Sequence, residues 1–362
     1  MKISDVQAYL LAIPISEKEF PAPWSWGSFK QVIVEIKTDE GITGYGEAFG
    51  YGAPEAVVAV IHRALKGILL GADPTCIGSL HDQMYQKTHF FGRYGITTFA
   101  ISGVDIALWD IAGKCAGLPL YRLLGGAETQ SIPAYASLTR YGDMGEMRDV
   151  LWHAQKSGHE MIKLHQLDVK SVRFARETIG EKIRLALDVN CPWDPEKALE
   201  MCRQLAPFSL TWLEEPIWPP EDFRSLARLG HLGGIPLATG ENACTVYQFR
   251  EMLEAGAATY IQPSVVKVGG VSEWREIAAL TEAYNVKMAP HSAYFGPGLL
   301  ATAHLIASFP SAVSLEQFYF NLEASIFKEP LKFEKGYFHL PQGPGLGVEI
   351  DEEVLKRYCL SS

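Results

Sequence analysis

Cysteine is scarce in this sequence, and its spacing matches neither a metal site nor a disulfide framework. The six cysteines among 362 residues form no C-x-x-C pair, which argues against a zinc site and favours reduced thiols in the cytoplasm. Cys191 and Cys244 stand close to candidate site residues, but a cysteine nucleophile needs a paired base and the sequence specifies none. We therefore expect no catalytic role for either thiol.

Long apolar runs and basic runs are also missing. No unbroken run of 18 apolar residues exists, so no membrane span is predicted. Apolar residues from Ile3 to Leu10 are interspersed with polar ones, which favours a half-buried strand over a signal peptide. The formal net charge is -10 and no Lys/Arg run is present, which argues against nucleic acid as a partner. These properties predict a soluble, cytoplasmic globular protein that binds no membrane.

The length accommodates a barrel of roughly 250 residues and a second domain. Residues 1–126 are predicted to form an N-terminal domain in which antiparallel strands precede helices. Its strands are expected near residues 2–13, 31–37 and 43–47, and its helices between Pro54 and Lys114. Residues 15–30 are expected to be a loop. Because this loop carries Trp24 and Trp26, it is either a specificity loop or a plain packed surface loop.

A regular repeat of short apolar strands begins after residue 126. Each strand ends in a polar residue, at intervals of about 23 to 28 residues, the size of one strand, one helix and two loops. The polar strand ends are Tyr135, Lys163, Asp188, Glu214, Glu241, Ser264, His291 and Glu316. Eight such units predict a (β/α)-barrel over residues 127–330, with these residues around one active site. A doubly wound open sheet gives a similar alternation, but no Gly-rich phosphate loop follows an early strand.

Three consecutive strand ends supply carboxylates. Asp188, Glu214 and Glu241 would meet at one barrel mouth and repel one another unless a cation lay between them. An all-oxygen ligand set suits Mg²⁺, with Mn²⁺ as an alternative ion. Taken singly, each acid is more often a helix cap or a salt-bridge partner. Their regular spacing nevertheless predicts a metal site.

Two further strands carry candidate acid–base groups. Lys163 and His165 point to the same face of their strand because side chains alternate with period two, and an imidazole can act as a base in a reaction at neutral pH. We expect Lys163 to bind a substrate carboxylate and His165 to take a proton. The alternative is a structural Lys163 paired to the acids and a surface His165. His291 ends the seventh predicted strand, on the opposite side of the barrel, and is the second catalytic candidate.

Other residues are assigned supporting roles. Glu316 ends the last predicted strand and could hydrogen-bond the substrate carboxylate or its enolate, while Lys267 could support the acid cluster electrostatically. Tyr51 and Asn190 complete the expected substrate contacts, together with the two tryptophans of the first loop. Aromatic faces can stack on apolar parts of a substrate, but they do not identify it.

Several motifs together resemble the mandelate racemase branch of the enolase superfamily. These are Gly44-Tyr45-Gly46-Glu47, Ala107 to Lys114, Glu214-Glu215-Pro216, Gly240-Glu241-Asn242, Gly269-Gly270 and Gly343 to Gly347. The resemblance spans nearly the whole chain and implies a modified (β/α)-barrel with an α+β N-terminal capping domain, which the C-terminal segment 331–362 completes. It also implies one Mg²⁺ per chain, a small carboxylate substrate and a homo-oligomer.

Two positions depart from the family pattern. The second barrel strand of the family carries Lys-x-Lys, whereas this chain has His165 in place of the second lysine. Many members have an Asp on the sixth strand that pairs with the seventh-strand histidine, whereas this chain has Ser264. Without that Asp, His291 should be less basic and more often neutral, so we expect His165 to act as the base and His291 as an acid or an orienting group.

This division of roles favours a carbon–oxygen lyase. Mg²⁺ with a Lys or His base is the enolase-superfamily solution for removing the α-proton of a carboxylate. We expect dehydration of an acid sugar, an aldonate or aldarate, to a 2-keto-3-deoxy acid. The alternatives are a racemase, epimerase or cycloisomerase on a carboxylate substrate, and a catalytically impaired homologue that binds ligand without turnover.

Overall fold

The computed structural model describes residues 1–16, 27–126 and 129–361. Its first sheet contains the antiparallel strands β1 (Ile3–Ser16), β2 (Ser28–Thr38) and β3 (Thr43–Ala48). The predicted loop 15–30 needs correction at both ends. Ile15 and Ser16 extend β1 by pairing with Leu322 and Asn321, and β2 already begins at Ser28. Trp24 and Trp26 lie outside the described residues.

Helices follow these strands, and the first and the longest of them pack against one face of the sheet. They are α1 (Pro54–Val60), continued by a π-helical turn (Ile61–Leu65), α2 (Lys66–Leu69), α3 (Ile77–Thr88), α4 (Ile96–Ala116) and α5 (Leu120–Leu123). Strand β3 lies directly against α4, since a Cβ added at Gly46 would fall 1.9 Å from the carbonyl oxygen of Gly103. Helix α4 is long and apolar enough to cross a membrane, but 78% of its apolar stretch is buried inside the molecule, as in the core helix of a domain.

Within the part of the chain that the structure describes, eight parallel strands form the barrel. They are β4 (Ser131–Ser137), β5 (Met161–Leu164), β6 (Arg184–Asp188), β7 (Leu210–Glu214), β8 (Leu237–Thr239), β9 (Tyr260–Ile261), β10 (Lys287–Met288) and β11 (Leu315–Phe318). Neighbours in sequence pair from β4 to β10. The ring closes because β11 pairs with β4, and a parallel bridge joins Met288 to Ala312 beside β11.

Helices alternate with the barrel strands. They are α6 (Met144–Lys156), α7 (Val169–Ile179), α8 (Pro195–Leu205), followed by a 3-10 turn (Ala206–Phe208), α9 (Phe223–Gly233), α10 (Val246–Ala255), α11 (Gly270–Ala283) and α12 (Pro297–Ser308). Side chains that accept a backbone N–H begin several of them, including Asp143, Asp168 and Asp194. The eighth predicted unit differs from the others, because β11 is followed by strand β12 (Asn321–Leu322) instead of a helix.

The last residues contact both parts of the molecule. They form β13 (Phe333–Glu334), β14 (Tyr337–His339), α13 (Glu352–Tyr358) and β15 (Cys359–Ser361). Strand β14 pairs with the start of β4, whereas β15 pairs with β1 of the first sheet. Between them, the backbone N–H of Leu346 donates to Asp110 of α4 at 2.8 Å. The segment therefore ties the first sheet and α4 to the barrel, while the domain limits at 126 and 330 stay a prediction.

Candidate active site

The three predicted carboxylates converge at the C-terminal end of the barrel. Asp188 ends β6, Glu214 ends β7, and Glu241 follows β8 by two residues. Each offers an oxygen, and these oxygens lie within 4.8 Å of one another. Asp188 and Glu214 are 1% and 0% exposed. Since parallel strands present their carboxyl ends at the same edge, the fold explains why residues about 25 apart in sequence meet here.

A buried lysine partly neutralises the cluster. Lys163 Nζ lies 2.7 Å from Glu214 Oε1, 2.8 Å from Glu316 Oε1 and 3.6 Å from Asp188 Oδ2. Burial alone would lower the pKa of Lys163, but the surrounding carboxylates hold it well above its ordinary value. Lys163 is therefore a fixed positive charge and not a proton acceptor.

The remaining negative charge fits a divalent cation. Burial raises the pKa of Glu214; Lys163 opposes this rise, whereas the neighbouring carboxylates of Asp188, Glu316 and Glu241 add to it. The other oxygen of Glu214 accepts a hydrogen bond from Trp212 Nε1 at 2.8 Å, which fixes its orientation. One lysine cannot balance four crowded acids, and the oxygen-only ligand set matches the preference of Mg²⁺. The residues present thus fit the predicted ion.

His165 lies on one side of the cluster. Its Nε2 is 3.1 Å from Asp188 Oδ2, and its Nδ1 hydrogen-bonds the carbonyl oxygen of Leu138. A carbonyl can only accept, so Nδ1 carries the hydrogen. Asp188 is held ionised: burial would raise its pKa, but His165 and Lys163 lower it well below its ordinary value.

His291 lies beside Glu241, with its Nε2 3.2 Å from Glu241 Oε2. Burial lowers the pKa of His291, in the predicted direction. Its Nδ1 is 2.8 Å from the hydroxyl of Tyr294, which is also hydrogen-bonded to Ser264 Oγ. The sequence analysis singled out Ser264 but did not assign Tyr294 to the site. Its position three residues after His291 was the feature of the sequence that could have indicated it.

Glu316 forms the far end of the charged network. It accepts from the backbone N–H of Ser292 at 3.0 Å as well as from Lys163. Burial would raise the pKa of Glu316, but Lys163 outweighs it and lowers the pKa to about 2. Glu316 is therefore an ionised wall of the site, and its predicted contact with substrate is open to test.

A cavity of about 890 Å³ lies above the acids, between the first sheet and the barrel mouth. The predicted residues Tyr51, Asn190, Glu316, His165 and His291 line it. Residues that sequence reasoning did not assign to the site also line it, namely Phe29, Glu47, Phe49, Arg140 and Tyr294. The structure therefore brings the predicted catalytic groups together beneath a wall that the N-terminal domain supplies.

Glu47 is the most unusual residue of that wall. It is 3% exposed, and it accepts hydrogen bonds from Gln31 Nε2 at 3.2 Å and from the backbone N–H of Gly298 at 2.9 Å. Burial raises the pKa of Glu47 to about 7. The acid thus connects β3 to the start of α12 at the edge of the cavity.

Lys267 lies at the cavity, whereas the cysteines near the site are protonated. Lys267 lines the cavity, with its Nζ 3.4 Å from Asn242 Oδ1 and 4.8 Å from the centre of the Phe49 ring. Cys191 Sγ donates to Glu215 Oε2 at 3.4 Å, and burial raises the pKa of the Cys191 thiol far above its ordinary value. Burial raises the pKa of the Cys244 thiol as well. Both cysteines are therefore protonated and poorly nucleophilic.

Comparison with known proteins agrees with this architecture. Residues 14–125 match the model of the mandelate racemase/muconate lactonizing enzyme N-terminal domain, and residues 146–354 match the enolase C-terminal domain-like model. The chain is 35% identical to arabinonate dehydratase from Saccharolobus solfataricus over 91% of both chains. It is 34% identical to 3,6-anhydro-alpha-L-galactonate cycloisomerase from Streptomyces coelicolor over 92% of both.

A solved structure gives the same result in three dimensions. A racemase from Streptomyces coelicolor A3(2) with bound magnesium superposes with a TM-score of 0.87 at 32% identity, covering 99% of this chain and 100% of the other. The matching domain models, the relatives and the acid triad at the barrel mouth lead to one assignment. This chain belongs to the mandelate racemase/muconate lactonizing enzyme family of the enolase superfamily, a family of lyases and isomerases.

Proposed function

We propose that this protein is a Mg²⁺-dependent acid-sugar dehydratase that converts an aldonate or aldarate to a 2-keto-3-deoxy acid. The observation that carries the proposal is an oxygen-ligand triad flanked by two imidazoles with different hydrogen-bond partners. The arabinonate dehydratase relative supports the reaction class. Asp188, Glu214 and Glu241 would hold one Mg²⁺, which would offset the negative charge that develops on the substrate carboxylate.

His165 is the proposed base. Its Nδ1 is committed as a donor to the Leu138 carbonyl, so the lone pair of the neutral ring lies on Nε2, the nitrogen that faces the site. Nε2 takes the α-proton of the substrate as the C–H bond breaks. The proton is then shared with the Asp188 carboxylate 3.1 Å away.

His291 is the proposed acid. A double bond forms between the α- and β-carbons as the β-hydroxyl leaves. His291, which burial favours in its neutral form, first takes up a second proton from solvent and then donates its Nε2 proton so that the group departs as water. The resulting enol takes a proton from solvent to give the 2-keto acid. Lys163 is fully buried against Glu214 and Glu316, so its positive charge would favour the substrate carboxylate through the field of the site and not by direct contact.

The test is turnover by the Mg²⁺-loaded protein on a panel of C5 and C6 aldonates and aldarates, followed by a 2-keto-acid assay. The proposal predicts product from at least one compound and its loss in His165→Gln and in His291→Gln. His231→Gln is the matched control, because His231 is exposed near the end of α9 on the outside of the barrel. Silence of the wild-type protein across the whole panel would overturn the dehydratase proposal.

Cycloisomerisation is the second candidate, favoured by the cycloisomerase relative at nearly the same identity. The same base would take the α-proton, and the same acid would protonate a ring oxygen in place of a free hydroxyl. Lactones and anhydro-sugar acids therefore belong in the panel. Ring opening without loss of water, detected by mass spectrometry, would favour this candidate over dehydration.

The assembly is proposed from the family resemblance, and the location from the spacing of the cysteines. We infer a homo-oligomer in the cytoplasm. Light scattering of the purified protein tests the first point, and a mass equal to the 40.0 kDa of one chain would contradict it. Cell fractionation tests the second.

A further inference from the structure

The hydroxyl of Tyr294 occupies the space behind His291. It is hydrogen-bonded to His291 Nδ1 at 2.8 Å and to Ser264 Oγ, and the tyrosine is only 4% exposed. The two rings meet edge to face with centroids 5.5 Å apart. Tyr294 therefore contacts His291 both through its hydroxyl and through its ring.

The segment that carries this pair is held rigidly. Tyr294 N donates to Ser292 O at 2.7 Å, and Ser292 Oγ is hydrogen-bonded to the backbone of Glu316 on β11, donating to its carbonyl at 3.0 Å and accepting from its N–H at 3.1 Å. The tyrosine hydroxyl is thus fixed from two sides, by the strand-end network below and by Ser264 on the neighbouring barrel loop. A group held in this way can set the orientation of the imidazole.

A phenol hydroxyl acts differently from a carboxylate in this place. A carboxylate accepts only, so it would require a hydrogen on Nδ1, whereas a hydroxyl can donate one hydrogen and also accept one. Burial keeps the pKa of Tyr294 well above its ordinary value, so the hydroxyl stays neutral. As the proton donor of the proposed reaction, His291 carries a hydrogen on Nε2. In the neutral ring Nδ1 then accepts from Tyr294, whose oxygen accepts from Ser264.

We propose that Tyr294, anchored by Ser264, is the positioning residue that holds His291 with its Nε2–H directed into the cavity. Tyr294 and Ser264 together replace the Asp that many family members carry at this position. That carboxylate would hold the imidazole with its hydrogen on Nδ1. This inference rests on the proposed function for the role of Nε2 as the hydrogen donor and for its kinetic consequence. The hydrogen bond itself is testable without any substrate.

The first experiment is ¹⁵N NMR of the Mg²⁺-loaded protein labelled at its histidine rings, with His291→Gln used to identify the His291 signals. We expect Nδ1 of His291 to be an acceptor in the wild-type protein and its resonance to move in Tyr294→Phe, with a smaller shift in Ser264→Ala. Tyr319→Phe is a matched control, because Tyr319 makes the same 2.8 Å contact with His153 Nδ1. That variant should move the His153 signal and leave His291 unchanged. A His291 Nδ1 resonance that is unaffected by Tyr294→Phe would overturn the proposal.

The second experiment measures turnover of whichever panel compound the wild-type protein converts. Tyr294→Phe should lower kcat by about 10- to 100-fold, the loss typical when the orienting partner of a site residue is removed, with KM within about twofold. In a His291→Gln background the same change should cost nothing further, because its effect passes through His291. Equal losses in both backgrounds, or wild-type kcat in Tyr294→Phe, would contradict the role.

The two experiments separate this inference from the proposed function. If no acid sugar is converted but the NMR shifts appear, the dehydratase proposal fails and the positioning of His291 stands. Should Tyr294→Phe fold poorly by circular dichroism, Ser264→Ala decides the question through the His291 Nδ1 signal. An unchanged signal in that well-folded variant would count against the anchoring role of Ser264.

Discussion

Behind His165 lies a peptide carbonyl, Leu138 O, whereas behind His291 lies the hydroxyl of Tyr294. Both imidazoles direct Nε2 at a carboxylate of the same cluster, at 3.1 Å and 3.2 Å. The contacts of the two Nε2 atoms are therefore nearly the same, and the two histidines differ in the groups that their Nδ1 atoms contact. A carbonyl fixes one tautomer, while a hydroxyl permits either.

This difference assigns the chemistry. The ring fixed by a carbonyl has its lone pair at the site and suits a base, and the ring held by a neutral hydroxyl suits a hydrogen donor. A racemase would need two groups of comparable competence on opposite faces of its substrate. The unequal partners therefore favour elimination over racemisation. The metal site that the two imidazoles share and each imidazole itself can therefore be removed separately.

Loss of the shared metal site should have the largest effect. Glu214→Gln removes one ligand charge, and we expect kcat/KM to fall by about 10³-fold or more, since a metal supplies several kcal/mol of charge stabilisation. Calorimetric titration should show greatly weakened Mg²⁺ binding. Glu254→Gln, an exposed acid of α10, is the control and should bind normally. Full activity in Glu214→Gln would exclude the assigned ligand set.

Removal of the proposed general acid, His291, should have the next largest effect. His291→Gln should lower kcat for dehydration by about 10²-fold, the lower end of the range for general acid–base groups. Mg²⁺ affinity should stay within about twofold of the wild-type value, because the imidazole is not a ligand in this account. A wild-type rate of keto-acid formation would show that His291 is not the acid.

Loss of the hydrogen bond that orients Glu214 should have a smaller effect. Trp212→Phe deletes the indole N–H that donates to Glu214 Oε2 at 2.8 Å. We expect Mg²⁺ affinity to fall by about 10-fold, because such partners orient a ligand without binding the ion. Trp152→Phe, an exposed residue on α6, should leave it unchanged. Equal affinities in the two variants would remove Trp212 from the account.

The smallest effect on activity is expected at the cavity wall, where Glu47 acts through stability. Its folded pKa of about 7 exceeds the ordinary 4.5, so the folded state binds the proton more tightly and stability falls as the pH rises from 4.5 to 7. Glu47→Gln should remove that part of the fall in stability. Once the Gln31 side-chain amide rotates, the new amide can donate to Gln31 Oε1, which has no hydrogen-bond partner among the described residues. Melting temperatures across pH 4 to 8 test this. A constant difference between variant and wild type would contradict it.

The sequence predicted the floor of the site better than its wall. The cluster of Asp188, Glu214 and Glu241 could be predicted, because parallel strands bring their carboxyl ends to one edge of the barrel and the spacing of the three acids matches that of the strands. Tyr294 was missed because its role depends on the path of a loop after β10. Glu47 was missed because it meets Gly298 only through the packing of two domains. The helix expected after β11 is replaced by β12, since the chain returns there to pair with β1.

The most direct test of the account is α-proton exchange in D₂O with the Mg²⁺-loaded protein and a turned-over acid sugar. Mass spectrometry of recovered substrate should show deuterium at the α-carbon with His291→Gln, in which the base is intact but the hydroxyl cannot leave efficiently. It should show none with His165→Gln. Exchange that persists in His165→Gln and disappears in His291→Gln would reverse the two roles and contradict the account.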